Sequence, residues 1–405
     1  MGGRAFSSGD NPLYTPRMPP NVYQHVLKQC HAKLQELFAV VATPIPGPAK
    51  PDYGDVDIFL AWERNSVFPR PIDSNSNKSP SSMHNALVSS AQLLNAERWY
   101  QEQPGIMITA IPWPNDFPRE AIKDEQDSNN CATTRYIQFK HAHGDLWNVI
   151  GSTIRPYGLT VDEVGLYIRI PEIESLDKKK ARVLLSTDPA EILTFLGLKY
   201  DGTEWEEPFA SDEDLFRYAT TCRLFWVRPE QHDIHASTES SEVDKSKLKA
   251  NDRRRMSSRS VFRKWVDEFL PACRNAGLFA VQNATRDSVR AEAFECFPGT
   301  RHIYEARLRE WNLERQRQTL WRNVIKASAP KIPEGKEETI SDKCWHGQVA
   351  SAFKKIIMQD NYSLGIRPLT PLRDASGFYN EERVKQFVVD NWEKVGDAIS
   401  KKQHP

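Results

Sequence analysis

Asp55 and Asp57 stand one residue apart in Gly54-Asp55-Val56-Asp57-Ile58-Phe59-Leu60, at the start of an apolar run. Read as a strand, alternation puts both carboxylates on one face and Val56 and Ile58 on the other. Carboxylates held about 6–7 Å apart along a strand repel unless something positive lies between them. A divalent cation is the usual answer, and Mg²⁺ prefers oxygen ligands. The same residues also fit a polar loop entering a buried strand, with the acids merely solvated.

The surrounding elements must position the pair. Residues 1–19 are rich in Gly, Ser and Pro and are read as disordered. Asn21 can cap a helix running to about Leu37, with Val22, Val26, Cys30, Leu34 and Leu37 as its stripe. Phe38–Ala42 reads as a strand, Pro44–Pro51 as a Pro/Gly-rich loop and Asp55–Trp62 as the acidic strand. After a linker at 66–83, a helix is expected over 84–101, a strand over 105–111, a polar loop over 114–132 and a further strand from Thr133 to Gln138.

A second unit is expected from Phe139. It holds a helix near 145–150, strands at 165–170 and 182–185, and a capped helix. Asp188 is the N-cap of that helix, Pro189 is N1, Glu191 is N3 and Gly197 follows its end. Another helix is expected over 212–225. Residues 229–259 are charged, Ser-rich and read as a linker. The stretches 260–325, 343–358 and 380–399 read as helical. The expected domains are therefore 20–138, 139–228 and a helical region at 260–405.

Composition narrows the class. A chain of 405 residues exceeds one compact domain. Lys+Arg and Asp+Glu are both 54, so any basic surface must be local. The mean hydropathy of -0.60 fits long polar connections. The six cysteines form no C-x-x-C pair, which points away from a disulfide framework or a zinc ribbon. There is neither an apolar run of 18 residues nor a secretory h-region, so an intracellular chain, nuclear or cytoplasmic, without membrane partners, is expected.

The neighbours of the acid pair carry a resemblance. A helix and a strand precede the loop Gly47-Pro48-Ala49-Lys50-Pro51-Asp52-Tyr53, and G-D-V-D-I-F-L follows. This resembles the palm of polymerase beta-like nucleotidyltransferases, especially family X DNA polymerases. Farther on, His143-Gly144-Asp145-Leu146-Trp147-Asn148 looks like the start of the family's thumb. Gly158-Leu159-Thr160-Val161-Asp162-Glu163-Val164-Gly165-Leu166-Tyr167 is similar to a following thumb stretch, and Ser186 to Tyr200 to its closing helix. The blocks occur in the family's order across residues 20–205.

The resemblance implies an α+β fold: a palm with a mixed sheet, a small thumb-like α+β unit and a helical C-terminal region. It implies Asp55 and Asp57 as catalytic ligands of Mg²⁺ or Mn²⁺. Gly47, Lys50, Gly54, Asp145 and Asn148 would lie at the nucleotide. The implied reaction moves a nucleotide from an NTP or dNTP to a hydroxyl, most plausibly on DNA or RNA.

The chain departs from the family in three places. Arg135-Tyr136-Ile137-Gln138 runs almost directly into the thumb, and no third metal-binding carboxylate is evident. Pro48 replaces the loop serine and has no N–H for a phosphate; Lys50 can substitute as a point charge. No helix-hairpin-helix lyase region is recognised before residue 20. The alternative is thus a catalytically impaired member serving as a nucleic-acid or protein interaction module. His141 and His143 are read as a polar loop rather than ligands. Arg253-Arg254-Arg255, with Lys245, Lys247, Lys249 and Arg259, is either a nucleic-acid or nuclear-targeting run or a soluble linker.

Overall fold

The computed structural model describes residues 17–54, 56–64, 90, 93–94, 132–200, 205–229, 255–257, 259–329 and 340–403. The helix expected over 84–101 lies almost wholly outside them, and the strand at 105–111 and most of the 114–132 loop lie entirely outside. The fold is α+β, with two small antiparallel sheets among the described residues. Two compact units divide it: one takes residues up to Pro171 and from Ala181 to Thr300, the other Glu172–Lys180 and Arg301 onward.

The first unit opens with helix α1 (Pro20–Leu34), started by Pro20 at a position where its missing N–H costs nothing. Strand β1 (Phe38–Ala42) follows and pairs antiparallel with β2 (Phe59–Glu63). Leu34, Phe38 and Leu60 are buried together, with Cys30, Leu37, Val41 and Ile58 packed against them. The apolar stripe of α1 thus closes over one face of the hairpin.

Strand β2 starts later than expected. The ladder ends at the pair Ala42 and Phe59, so Asp57 precedes the strand rather than lying in it. Continuing that register would set Asp57 opposite Pro44. Proline has no N–H to give a ladder, so the strand cannot extend toward the acid pair.

Residues 133–138 correct a second expectation. They form part of helix α2 (Ala132–His141), not a strand. Their β-branched residues favour a strand, but Tyr136 and Phe139, three apart, are both buried on one helical face. The Tyr136 hydroxyl also donates to the Asp162 carbonyl at 2.8 Å. The mixed sheet expected of a palm is therefore not found among the described residues.

Helix α3 (Leu146–Ile154) is deeply buried, with Leu146, Val149, Ile150 and Ile154 fully enclosed. Beside it, β3 (Leu159–Val161), β4 (Leu166–Arg169) and β5 (Arg182–Ser186) form an antiparallel sheet in that order. Asp162 builds the β3–β4 turn, accepting from the N–H groups of Val164 and Gly165, and pairs with Arg182 at 2.5 Å. Helix α4 (Pro189–Leu196) has the expected caps: Asp188 accepts from the N–H groups of Ala190 and Glu191, and Gly197 is left-handed at φ 70°. Helix α5 (Asp212–Thr220) is capped by Ser211.

The chain returns at Arg255 and forms α6 (Ser260–Lys264), a π-helical stretch at Trp265–Phe269 and α7 (Leu270–Asn275). Pro271 cannot donate to the preceding turn, which accounts for the widened helix before it. Trp265 is buried between Phe216 and Phe225, its ring 5.3 and 5.4 Å from theirs. Helix α8 (Arg286–Cys296) completes the unit behind a capping box at Thr285.

The second unit contains α9 (Thr300–Thr319), α10 (Ile340–Gln359) and α11 (Glu381–Gln403). Val349, Phe353, Ile356 and Ile357 of α10 face Val384, Phe387, Val388, Trp392 and Val395 of α11 around Leu320, Val324 and Ile325. The three-and-four spacing is that of an apolar helix stripe. Gln316 clamps the loop before α11, its amide exchanging two 2.8 Å bonds with the Tyr379 backbone.

Gly165 shows how tightly the small sheet is set. A Cβ there would lie 2.4 Å from the Ser186 carbonyl oxygen. Gly165→Ala should therefore lower stability by roughly 1–3 kcal/mol, read as a lower urea midpoint. An unchanged midpoint would mean that the β4–β5 pairing, whose register shifts between Leu166 and Tyr167, has slack.

Candidate functional site

The loop between β1 and β2 carries most of the residues singled out in the sequence. It is held at its base by Thr43, whose hydroxyl lies 2.8 Å from His31 Nε2. Its far side is held by Tyr53, which exchanges two backbone hydrogen bonds with Met18 and stacks on Tyr23 at 3.8 Å between centroids. Arg17 pairs with Asp52 at 2.5 Å. Lys50 is exposed, its ammonium 4.8 Å above the Tyr53 ring. Gly54 follows Tyr53 and is half-buried.

The middle of this loop meets the turn between α2 and α3. The His143 N–H donates to the Ile45 carbonyl at 2.7 Å. His143 and Gly144 are both left-handed, at φ 57° and 61°. A Cβ on Gly144 would come 3.3 Å from the Gly47 Cα. Two backbones thus touch where neither glycine has a side chain.

An aromatic cluster supports the turn. The His143 ring is fully buried, 5.2 Å from Trp205 and 4.6 Å from Phe209 between centroids. Phe139 packs 4.8 Å from both Trp147 and Trp205. The Trp147 indole N–H donates to the Phe139 carbonyl and that of Trp205 to the Tyr218 hydroxyl. Nothing about Trp205 or Phe209 in the sequence marks them as the floor of this turn.

Asp145 follows at the start of α3, almost wholly buried. Its Oδ1 accepts from Asn148 Nδ2 at 3.1 Å and from an Arg259 guanidinium nitrogen at 2.6 Å. The structure therefore brings Gly47, Asp145 and Asn148 together. Lys50 and Gly54 lie farther along the same loop. Asp57 is exposed between the loop and β2. Asp55 lies outside the described residues.

Known proteins offer no guide. The chain matches no family model, no curated protein and no solved structure.

Among the described residues no group of three or more His, Cys, Asp or Glu is placed to hold a metal ion, and no helix is long and apolar enough to cross a membrane. Asp57 is exposed and offers a single carboxylate. Mg²⁺ is commonly held by one or two carboxylates, with substrate phosphates and water completing its shell.

His141 lies outside the junction. Its Nε2 is 2.8 Å from Glu163 Oε2 and its ring 5.3 Å from that of Phe59. The bond from His141 holds the Glu163 carboxyl below its usual range, against the upward push of burial. Glu163, read only as part of the thumb-like stretch, and Arg259, read only as part of a basic run, thus complete the local charge pattern.

Two outcomes follow. Gly144→Ala must place a side chain in left-handed backbone against Gly47, and should cost roughly 1–2 kcal/mol, measurable by urea denaturation. The depressed Glu163 pKa favours the folded state above the ordinary carboxylate value, and this is lost as pH falls through the lowered one. Glu163→Gln should therefore flatten the acid limb of a stability-against-pH curve, and an unchanged limb would refute the coupling.

Proposed function

We propose that the first unit contains a palm and thumb of the polymerase beta-like nucleotidyltransferase type. A nucleoside triphosphate would bind where the Gly47 loop meets the His143–Asp145 turn. The observation that carries this reading is the backbone contact at Gly47 and Gly144 with the Asp145–Asn148 pair beside it. A glycine loop admits a phosphate close to the backbone. Lys50 offers an exposed positive charge farther along the loop. Asp145 and Asn148 present an acceptor and an amide that can orient a base or sugar. Asp57, with Asp55, would hold Mg²⁺ or Mn²⁺ together with the triphosphate.

The reaction joins an acceptor hydroxyl oxygen, most plausibly on DNA or RNA, to the α-phosphorus and releases pyrophosphate. When bound, a divalent cation acts in such chemistry as a Lewis acid and offsets phosphate charge. The chain's own part is to hold the nucleotide in place, which is where much of the rate of phosphoryl-type transfer originates.

One observation favours a second reading. Residues 133–138, where a strand bearing a third carboxylate would be sought, are helical. The site would then bind nucleotide or a macromolecule without transferring anything.

Calorimetry with Mg²⁺ and a nucleoside triphosphate, on the wild type and on Asp55→Ala/Asp57→Ala, tests both. We expect triphosphate-dependent Mg²⁺ binding that falls at least about tenfold in the double variant, the loss expected of a removed charged ligand. Primer extension by the wild type supports transfer. Nucleotide binding without extension moves the assignment to the second reading, and no nucleotide binding at all removes both forms of the nucleotide site.

A further inference from the structure

Arg259 belongs to a part of the chain that carries no resemblance, yet its side chain ends at the candidate site. It is separated from Asp145 by 114 positions and bonds it at 2.6 Å. The Asp145 side chain is 11% exposed, whereas that of Arg259 is 49% exposed. One partner is sunk in the protein and the other lies over it facing water. Asp145 is not capping α3, since its side chain takes no N–H of that helix. Its Oδ1 is instead shared by Asn148 and Arg259.

This arrangement solves an electrostatic difficulty. A sheltered carboxylate beside a triphosphate would repel it, and little water is there to screen the pair. A guanidinium on the carboxylate cancels that charge. It also has five N–H donors in a planar fork suited to phosphate oxygens. Among the described residues the Arg259 guanidinium bonds Asp145 alone, through one nitrogen, so donors remain for another acceptor.

The arginine is also held in place. Its N–H donates to the Arg255 carbonyl at 2.9 Å, and it is the N-cap of α6. Three residues on, Phe262 is buried, and so is Trp265 beyond it. The backbone bearing Arg259 is therefore fastened at both ends.

Other cations lie close. Burial pushes the Lys140 ammonium below its usual range; Glu163 and Asp162 pull it up, while Arg259 and Arg255 push it down again. Glu163, 4.0 Å from the Lys140 ammonium, offsets part of that charge.

We propose that Arg259 is a phosphate-binding residue of the nucleotide site, supplied by the returning chain: it holds Asp145 against Asn148 with one nitrogen and offers its other donors to triphosphate oxygens. This rests on the nucleotide reading above. The ligand chemistry is a linear polyphosphate, whether or not a nucleoside is attached.

Inorganic triphosphate and Mg²⁺-ATP are the probes, titrated into the full-length wild type, Arg259→Lys and Arg259→Gln. Arg259→Gln should weaken inorganic triphosphate at least about tenfold, as for loss of a charge-assisted hydrogen bond. Arg259→Lys should fall between the wild type and Arg259→Gln, because it keeps the charge but not the planar fork that spans carboxylate and phosphate. Affinity should fall less steeply with salt in Arg259→Gln than in the wild type. Should Arg259→Gln fail to fold, Asp145→Asn/Arg259→Gln removes the uncompensated carboxylate. Inorganic triphosphate has no base for Asp145 to position, so this double variant should bind it as weakly. Equal binding by the wild type and a folded Gln variant overturns the inference alone. Tighter binding by the Gln variant also overturns it and makes Arg259 a plug. A wild type that binds neither probe overturns the nucleotide reading itself.

Discussion

The first unit depends on a contact between two backbones, at Gly47 and Gly144. Its closeness rests on the missing side chain of Gly144. A Cβ there would crowd the Gly47 Cα at 3.3 Å, whereas one on Gly47 would meet the turn at ordinary contact distance. The turn can close only because His143 and Gly144 adopt left-handed backbone. One hydrogen bond, from the His143 N–H to the Ile45 carbonyl, then sets the register of loop on turn. The chain leaves the turn at Asp145 in the direction that buries α3, and α3 in turn supplies the surface on which the β3–β5 sheet and α5 pack.

Elements whose signals are local were legible in the sequence. The strand at Phe38–Ala42 was readable from an apolar run between polar stretches. The α4 helix was readable residue by residue, since Asp188, Pro189 and Gly197 each act within one turn of where they stand. In the stretch Gly158–Tyr167, the glycine at 158 is left-handed at φ 80° and Asp162 wraps the hairpin turn. Those positions therefore have conformational reasons of their own, beside any carried by likeness to a family.

Where the outcome depended on distant partners, the local signals pointed elsewhere. Thr133–Gln138 has the β-branched content of a strand, but Tyr136 and Phe139 are buried together only on a helix. The acid pair sits at the head of an apolar run, and alternation alone would carry the strand back to Asp55. What halts the strand is the prolines across from it, a property of the partner rather than of the run. The ion pair of Arg259 with Asp145 is the extreme case. In the sequence Arg259 is one of several basic residues in a polar stretch, and no spacing rule links it to a carboxylate so far upstream. The candidate site was thus legible as a loop and a turn, and its electrostatic closure was not.

The division into two units has a consequence of its own. The second unit draws on two separate stretches, Glu172–Lys180 and Arg301 onward, so the chain passes into it, out of it and back again. It is not a tail that one cut removes. Truncation at residue 300 would leave the 172–180 stretch, inserted between β4 and β5, without the helices it is grouped with.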